Sequence, residues 1–130
     1  MRFRTWFLLL LFALSLFGCT LQQQRLKLIE ETLRGYHNAV QYKAPDKAAT
    51  FVDPEKKKDF LQTAETMTKS QNVSEYEIRS VDFNVNDKDE VTVVVQRDYY
   101  DTASYEVRSV TLTQVWRNVD GSWKLMSGEW

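Results

Sequence analysis

The stretch Gln114-Val115-Trp116-Arg117-Asn118-Val119-Asp120-Gly121-Ser122-Trp123-Lys124-Leu125 reads as two aromatic-bearing strands folded about Asp120-Gly121. Asp-Gly suits the two-residue hairpin turn that needs positive φ at both central positions, and it is the strongest short hairpin signal in the chain. Upstream of it the same β-rich grammar repeats. Strands are expected at Tyr76 to Val85, Glu90 to Tyr100 and Tyr105 to Val119, with the last running from Trp123 to Glu129. Asn86-Asp87-Lys88-Asp89 and Asp101-Thr102-Ala103-Ser104 supply the other two connections. Loops this short join antiparallel neighbours, so the four strands form a meander.

Before Val73 the periodicity is helical. Leu26, Ile29, Leu33, either Tyr36 or His37, and Val40 fall at three- and four-residue spacings and put one apolar stripe on a helix. That helix is expected to stop near Tyr42 or Lys43, because Ala44 precedes Pro45 and is pushed out of the helical region. Asp46 to Val52 reads as a brief helical turn. Asp53-Pro54-Glu55 reads as a helix start, with Asp53 as N-cap, Pro54 at the first helical position and Glu55 at the positive end of the dipole. Phe60, Leu61, Ala64 and Met67 are the expected inward face of that helix.

Helices first and a meander after them predict an α+β domain whose N-terminal helices pack on one face of a curved antiparallel sheet. The element order from Leu21 to Trp130 and the closing hairpin quoted above, with its aromatic, Asp-Gly and Trp-Lys-hydrophobic pattern, resemble the nuclear transport factor 2-like superfamily. The resemblance implies a cystatin-like cone in which the sheet curls around a long helix. That family commonly has six strands, against four long ones here, and a small tie near Thr50 to Asp53 is one place for a further pairing. The fold hosts enzymes, ligand-binding proteins and assembly modules, so it does not by itself imply an activity.

The beginning of the chain carries a different signal. Arg2 and Arg4 precede the apolar run Trp6 to Leu14, and Leu16-Phe17-Gly18-Cys19 follows. A basic front, a short apolar run and a small residue at its end are the layout of an export signal, and the run falls short of the roughly 20 apolar residues of a spanning helix. Leu16-Phe17-Gly18-Cys19 resembles the lipobox of bacterial lipoprotein precursors, although Phe17 stands where a small or β-branched residue is usual. The resemblance implies cleavage between Gly18 and Cys19 and lipid on the Cys19 thiol and amine, palmitate-type chains included. Each buried CH₂ contributes about 0.8 kcal/mol, so two or three chains anchor a protein stably. The expected organisation is a signal peptide at 1–18, the lipidated cysteine with a short tether at 19–24, and a single α+β domain at 25–130.

Cys19 is the only cysteine, so an exported domain has no internal disulfide and rests on its hydrophobic core. Removing residues 1–18 takes Lys plus Arg from 17 to 15 against 18 acidic residues, a formal charge of −3. That balance argues against nucleic acid as a partner. Lys56-Lys57-Lys58 is bracketed by Glu55 and Asp59 and reads as a solvated helix face. No Gly-rich phosphate loop, metal-ligand spacing or cofactor motif is present.

Candidate site residues come from strand alternation. If Val91, Val93 and Val95 face the concave side, Arg97 and Tyr99 follow them inward, and Val110 and Leu112 carry Gln114 and Trp116 in likewise. Arg97, Tyr99, Gln114 and Trp116 would then line a pocket for a small polar or anionic ligand. Structural duty for all four is the plainer expectation, and bulges can break such parity. His37, the sole histidine, is expected to be a half-buried helix residue rather than a catalytic one.

The reading with the best support from residues is a non-catalytic, lipid-anchored envelope protein that binds a partner protein or small ligand, with self-association as a homodimer among its forms. Tyr99, Tyr100, Tyr105, Trp116, Trp123 and Trp130 supply aromatic surface for either an interface or the core. The alternatives are a small hydratase- or isomerase-like enzyme of the same fold, which would need a buried carboxylate or imidazole, and a structural envelope protein with a filled cone. Thr20 after the cysteine is permissive, by resemblance to enterobacterial sorting, for onward transport to the periplasmic face of the outer membrane, with the inner membrane as the alternative.

Overall fold

The apolar stripe of the first helix is wider than either of its expected alternatives. In α1 (Arg2–Gln41) Ile29, Leu33, Val40 and both Tyr36 and His37 are buried. Their offsets of 0, 4, 7, 8 and 11 are the full core-facing stripe of an amphipathic helix, in which adjacent positions 36 and 37 share the inner side. The computed structural model describes residues 2–128, with side chains described from residue 21 onward. The chain forms two compact units that divide between Leu33 and Arg34, inside α1. Residues 19–24 are helical and continuous with the rest of α1. Among the described residues no helix is long and apolar enough to cross a membrane.

The unit from Arg34 onward holds the last turns of α1, two further helices and the sheet. α1 ends as expected near Lys43, which takes φ +54° while its N–H donates to Val40 O at 3.1 Å and Ala44 N–H donates to Ala39 O at 2.8 Å. These are the paired bonds of a Schellman cap, which satisfies carbonyls that the helix end would orphan. Lys43 Nζ then reaches Thr68 O at 3.0 Å. Pro45 opens the short α2 (Pro45–Ala49), whose Ala48 and Ala49 are buried.

Helix α3 (Lys57–Ser70) starts later than the sequence suggests. Lys56 occupies the N-cap position without a side-chain cap, and Asp53 does not cap the helix. Its backbone is engaged elsewhere: Asp53 N–H donates to Leu125 O at 3.0 Å, and Asp53 O accepts from Lys56 N–H at 2.9 Å, closing a turn one step before the helix. Leu125 N–H also donates to Phe51 O at 2.8 Å, so Val52 makes an isolated parallel bridge to Leu125. This is the tie expected between Thr50 and Asp53. The inward face of α3 is as expected, with Ala64 buried and Phe60, Leu61 and Met67 half-buried, and Lys56 to Lys58 are exposed.

The four strands β1 (Gln71–Phe83), β2 (Glu90–Asp101), β3 (Val107–Val119) and β4 (Ser122–Ser127) form one antiparallel sheet in the order of the chain. Two boundaries shift for local reasons. β1 begins at Gln71 rather than Tyr76, because α3 runs into it with no loop and Gln71 pairs with Asp101. β3 begins at Val107 rather than Tyr105, since Tyr105 has φ +57° in the connection from β2. Asp120 and Gly121 take φ +52° and +85°, as the two-residue turn between β3 and β4 requires. The expected strand end at Glu129, and Trp130, lie outside the described residues.

Bulges set the shape of the sheet. β1 carries irregularities between Val73 and Glu75 and between Ile78 and Ser80, and β3–β4 pairing carries one between Val115 and Trp116. Each bulge adds a residue to one strand and bends it. The helices pack on the face lined by Val91, Val93 and Val95 of β2 and Leu112 and Trp116 of β3, all of them buried.

Candidate functional site

Strand register brings the polar inner-face residues to defined places. Arg97 sits between Tyr76 of β1 and Val110 of β3, Gln114 lies opposite Val93, and Trp116 lies opposite Val91 and Leu125. β2 and β3 pair without a bulge across these positions, so the alternation that turns three valines inward also turns in Arg97, Gln114 and Trp116. All three are buried, with Gln114 and Trp116 at 0% exposure and Arg97 at 3%. Tyr99, one step further along β2, is only half-buried and does not join them as expected. It lies opposite Val73 and Arg108, near the open end of the sheet.

The helix contributes what the strands alone do not reveal. Tyr36 and His37 face the sheet from α1 at 0% and 1% exposure, so His37 is buried rather than half-buried. The Tyr36 ring meets the Trp116 ring edge to face at 5.3 Å, and the His37 ring at 4.9 Å. His37 also stacks on Tyr76 at 5.1 Å, and Tyr76 hydroxyl donates to Asn38 Oδ1 at 2.8 Å. Inside this aromatic frame Trp116 Nε1 donates a well-formed hydrogen bond to Gln114 Oε1 at 3.1 Å.

The remaining polar atoms are less well satisfied. Tyr36 hydroxyl, both ring nitrogens of His37, Nε and Nη2 of Arg97 and Nε2 of Gln114 are all buried without a hydrogen bond of good geometry, although Arg97 interacts with the Tyr36 hydroxyl and Gln114 with His37 at looser geometry. A buried polar group left unpaired costs about 1–3 kcal/mol, and native structures keep few of them. Six such atoms without a well-formed hydrogen bond in one cluster mark it as a candidate site.

Its electrostatics follow from burial. Loss of solvent pushes Tyr36 up to about 12, offset in part by the Arg97 charge, so the phenol stays neutral. Loss of solvent, assisted by repulsion from Arg97, lowers His37 to about 3, so the imidazole is neutral as well. Arg97 is itself pushed down by burial, but a guanidinium keeps its proton in proteins. The cluster is therefore one buried positive charge surrounded by neutral donors and acceptors.

A cavity of about 570 Å³ lies beside the cluster, lined by Val52, Phe60, Met67, Leu125 and Met126, with Lys56, Asp59, Thr63, Ser127 and Gly128 at its polar edge. Two of these residues connect it to the cluster. The Phe60 ring packs 6.2 Å from that of Tyr36. Gly128, at φ +130°, is so close to Gln114 that a Cβ there would lie 2.9 Å from Gln114 Cγ. Among the described residues no group of three or more His, Cys, Asp and Glu is placed to hold a metal ion. The side chains of Gly18 and Cys19, where cleavage and lipidation are expected, are outside those described.

Tyr36, Phe60, Tyr76 and Gly128 were not among the expected site residues. A Tyr-His pair on the inner stripe of the helix, opposite an arginine that continues a run of inward valines, is the sequence signal that could have found the first of them.

The chain matches no protein-family model and no curated protein. Solved structures do resemble it. An NTF-2 like protein of unknown function from Shewanella oneidensis aligns with a TM-score of 0.66 at 11% identity, over 81% of this chain and 97% of that one. A ketosteroid isomerase-like protein from Erwinia carotovora atroseptica aligns at 0.62 and 15% identity, over 78% and 91%. A protein of unknown function with a cystatin-like fold from Nostoc punctiforme aligns at 0.55 and 12% identity, over 78% and 86%. At these identities the likeness establishes the fold alone: helices packed on a curved four-stranded antiparallel sheet, of the NTF2-like and cystatin-like kind.

Proposed function

We propose that this chain is an exported lipoprotein, held on a membrane through lipid on Cys19, whose cone domain binds a small ligand without transforming it. The observation that carries the binding reading is the buried cluster at Arg97, where one positive charge and six polar atoms without a well-formed hydrogen bond converge. What favours binding over acid–base catalysis is the state of the two titratable neighbours. A general acid or base works best with a pKa near the operating pH, whereas His37 at about 3 and Tyr36 at about 12 exchange no proton near neutrality. The burial of all these atoms would suit a filled, purely structural cone; the cost of satisfying them so poorly weighs against it.

The anchor rests on Leu16-Phe17-Gly18-Cys19 and the export signal before it. Thr20 favours the periplasmic face of an outer membrane as the destination. A protein partner in the envelope, or a second copy of the chain, remains compatible with a ligand-binding cone.

Intact mass and membrane fractionation of the protein with native Cys19 and with Cys19→Ala test the anchor. The expected result is a mature protein that starts at Cys19, carries lipid and sediments with membranes, all of which the substitution abolishes. An uncut or unmodified soluble product from the native sequence would overturn it.

A further inference from the structure

The cavity lined from α3 and β4 has walls of one chemical kind and an edge of another. Phe60 and Met67 of α3, Val52, and Leu125 and Met126 of β4 make the walls, so an occupant there buries apolar surface. The volume of about 570 Å³ falls within the roughly 300–1,000 Å³ usual for small-molecule sites.

The edge carries charge of both signs. Lys56 and Asp59 both lie on it, one cation and one anion at the start of α3. Lys56 extends its ammonium to Met126 O, so its stem runs from α3 to β4 beside the cavity. A cationic ligand group at this edge meets Lys56 and an anionic one meets Asp59, and either like-charge approach is disfavoured. A neutral hydroxyl meets neither penalty. It can donate to the Asp59 carboxylate and accept from the hydroxyl of Thr63, which lies at the same edge.

We propose that this cavity takes a neutral, largely apolar molecule bearing a hydroxyl group, its apolar part against Phe60, Met67 and Leu125 and its hydroxyl at Asp59 and Thr63. This gives a place and a chemical class to the small ligand proposed above and rests on that reading. The Arg97 cluster adjoins the site through the packing of Phe60 on Tyr36 and of Gly128 on Gln114.

Met67 and Met126 are the chain's two methionines besides Met1, and both line the cavity, so their methyl NMR signals report on it. Titration of the full chain with 1-octanol, octanoate and octylammonium at matched ionic strength, followed through those signals, tests the proposal. The expected result is that 1-octanol shifts both signals in one saturable step and gives intermolecular NOEs to both methyls. Octanoate and octylammonium should bind at least roughly tenfold more weakly, the scale of one like charge at the edge. Thr63→Val, which keeps the side chain's volume and removes its hydroxyl, is expected to weaken octanol by roughly two- to tenfold. The comparison of the three ligands on the native chain stands even where the variant fails to fold. A charged ligand that binds as tightly as octanol with the same methyl shifts would overturn the neutral class and leave the cavity as a site. Binding that leaves both methyl signals unmoved would overturn the cavity and spare the small-ligand reading. No binding of any of the three up to millimolar concentration would overturn the inference, and the small-ligand reading falls with it only if Arg97→Met also destabilises the protein.

Discussion

The two faces of the sheet treat polar groups in opposite ways. On the outer face Ser109 Oγ donates to Asp98 Oδ1 at 2.6 Å, Gln96 Nε2 donates to Ser109 Oγ at 3.1 Å, and Arg79 bonds Gln96 Oε1 while pairing with Glu77 at 3.4 Å. Water is available there, and a missing partner would cost little. On the inner face, where a poorly paired atom costs most, Tyr36, His37, Arg97 and Gln114 leave six polar atoms without a well-formed hydrogen bond. A sequence shaped by stability alone would distribute its hydrogen bonds the other way round. Local rules broken where they are most expensive are the mark of a site kept for function.

That contrast can be sharpened by substitution. The inner face draws its stability from its rings, so Trp116→Ala is expected to destabilise the fold by about 3–5 kcal/mol, as deletion of a fully buried aromatic does. Urea unfolding measures it, and a loss below about 1 kcal/mol would mean the inner face is not the core.

His37 gives a smaller effect with a distinct pH signature. Its folded value of about 3 lies below its ordinary 6.5, so the unfolded chain takes up the proton first. The group's contribution to stability is complete above pH 6.5 and is lost as pH falls toward 3. Between pH 6.5 and 5.5 the native protein is expected to lose about 1 kcal/mol from this residue. It is the sole histidine, so His37→Leu should flatten stability across that interval. An unchanged slope in the variant would place the proton uptake elsewhere.

On the outer face Ser109→Ala is expected to shift stability by no more than about 0.5 kcal/mol, despite removing two well-made hydrogen bonds. A cost several times larger would erase the difference between the faces.

How far the sequence reached depends on bulges. β2 and β3 pair without interruption, and there simple alternation placed Arg97, Gln114 and Trp116 on the inner face. In β1 two bulges let Val73, Tyr76, Ile78 and Val81 share a row order that alternation alone could not produce, so Tyr76 against His37 was not legible. Asp120-Gly121 specified its hairpin because the turn's positive φ values select those residues locally. Asp53-Pro54 misled for the opposite reason: its capping chemistry is local, but a pairing with Leu125, seventy-two residues away, takes its backbone. The poor satisfaction of Arg97 was beyond sequence reasoning altogether, since hydrogen-bond geometry is a property of the whole packed interior.

The most direct test of the central claim is the unfolding free energy of Arg97→Met against the native chain, measured in urea with no ligand added. Methionine keeps most of the length of the side chain and removes its charge. Replacing buried charge by apolar side chains of similar volume gains about 1–4 kcal/mol in other proteins. If the cluster is held for a ligand, Arg97→Met should be more stable than the native protein by about 2 kcal/mol. If instead the variant is destabilised by a comparable amount, Arg97 is a structural residue with partners of its own, and the ligand-binding account of the cone fails.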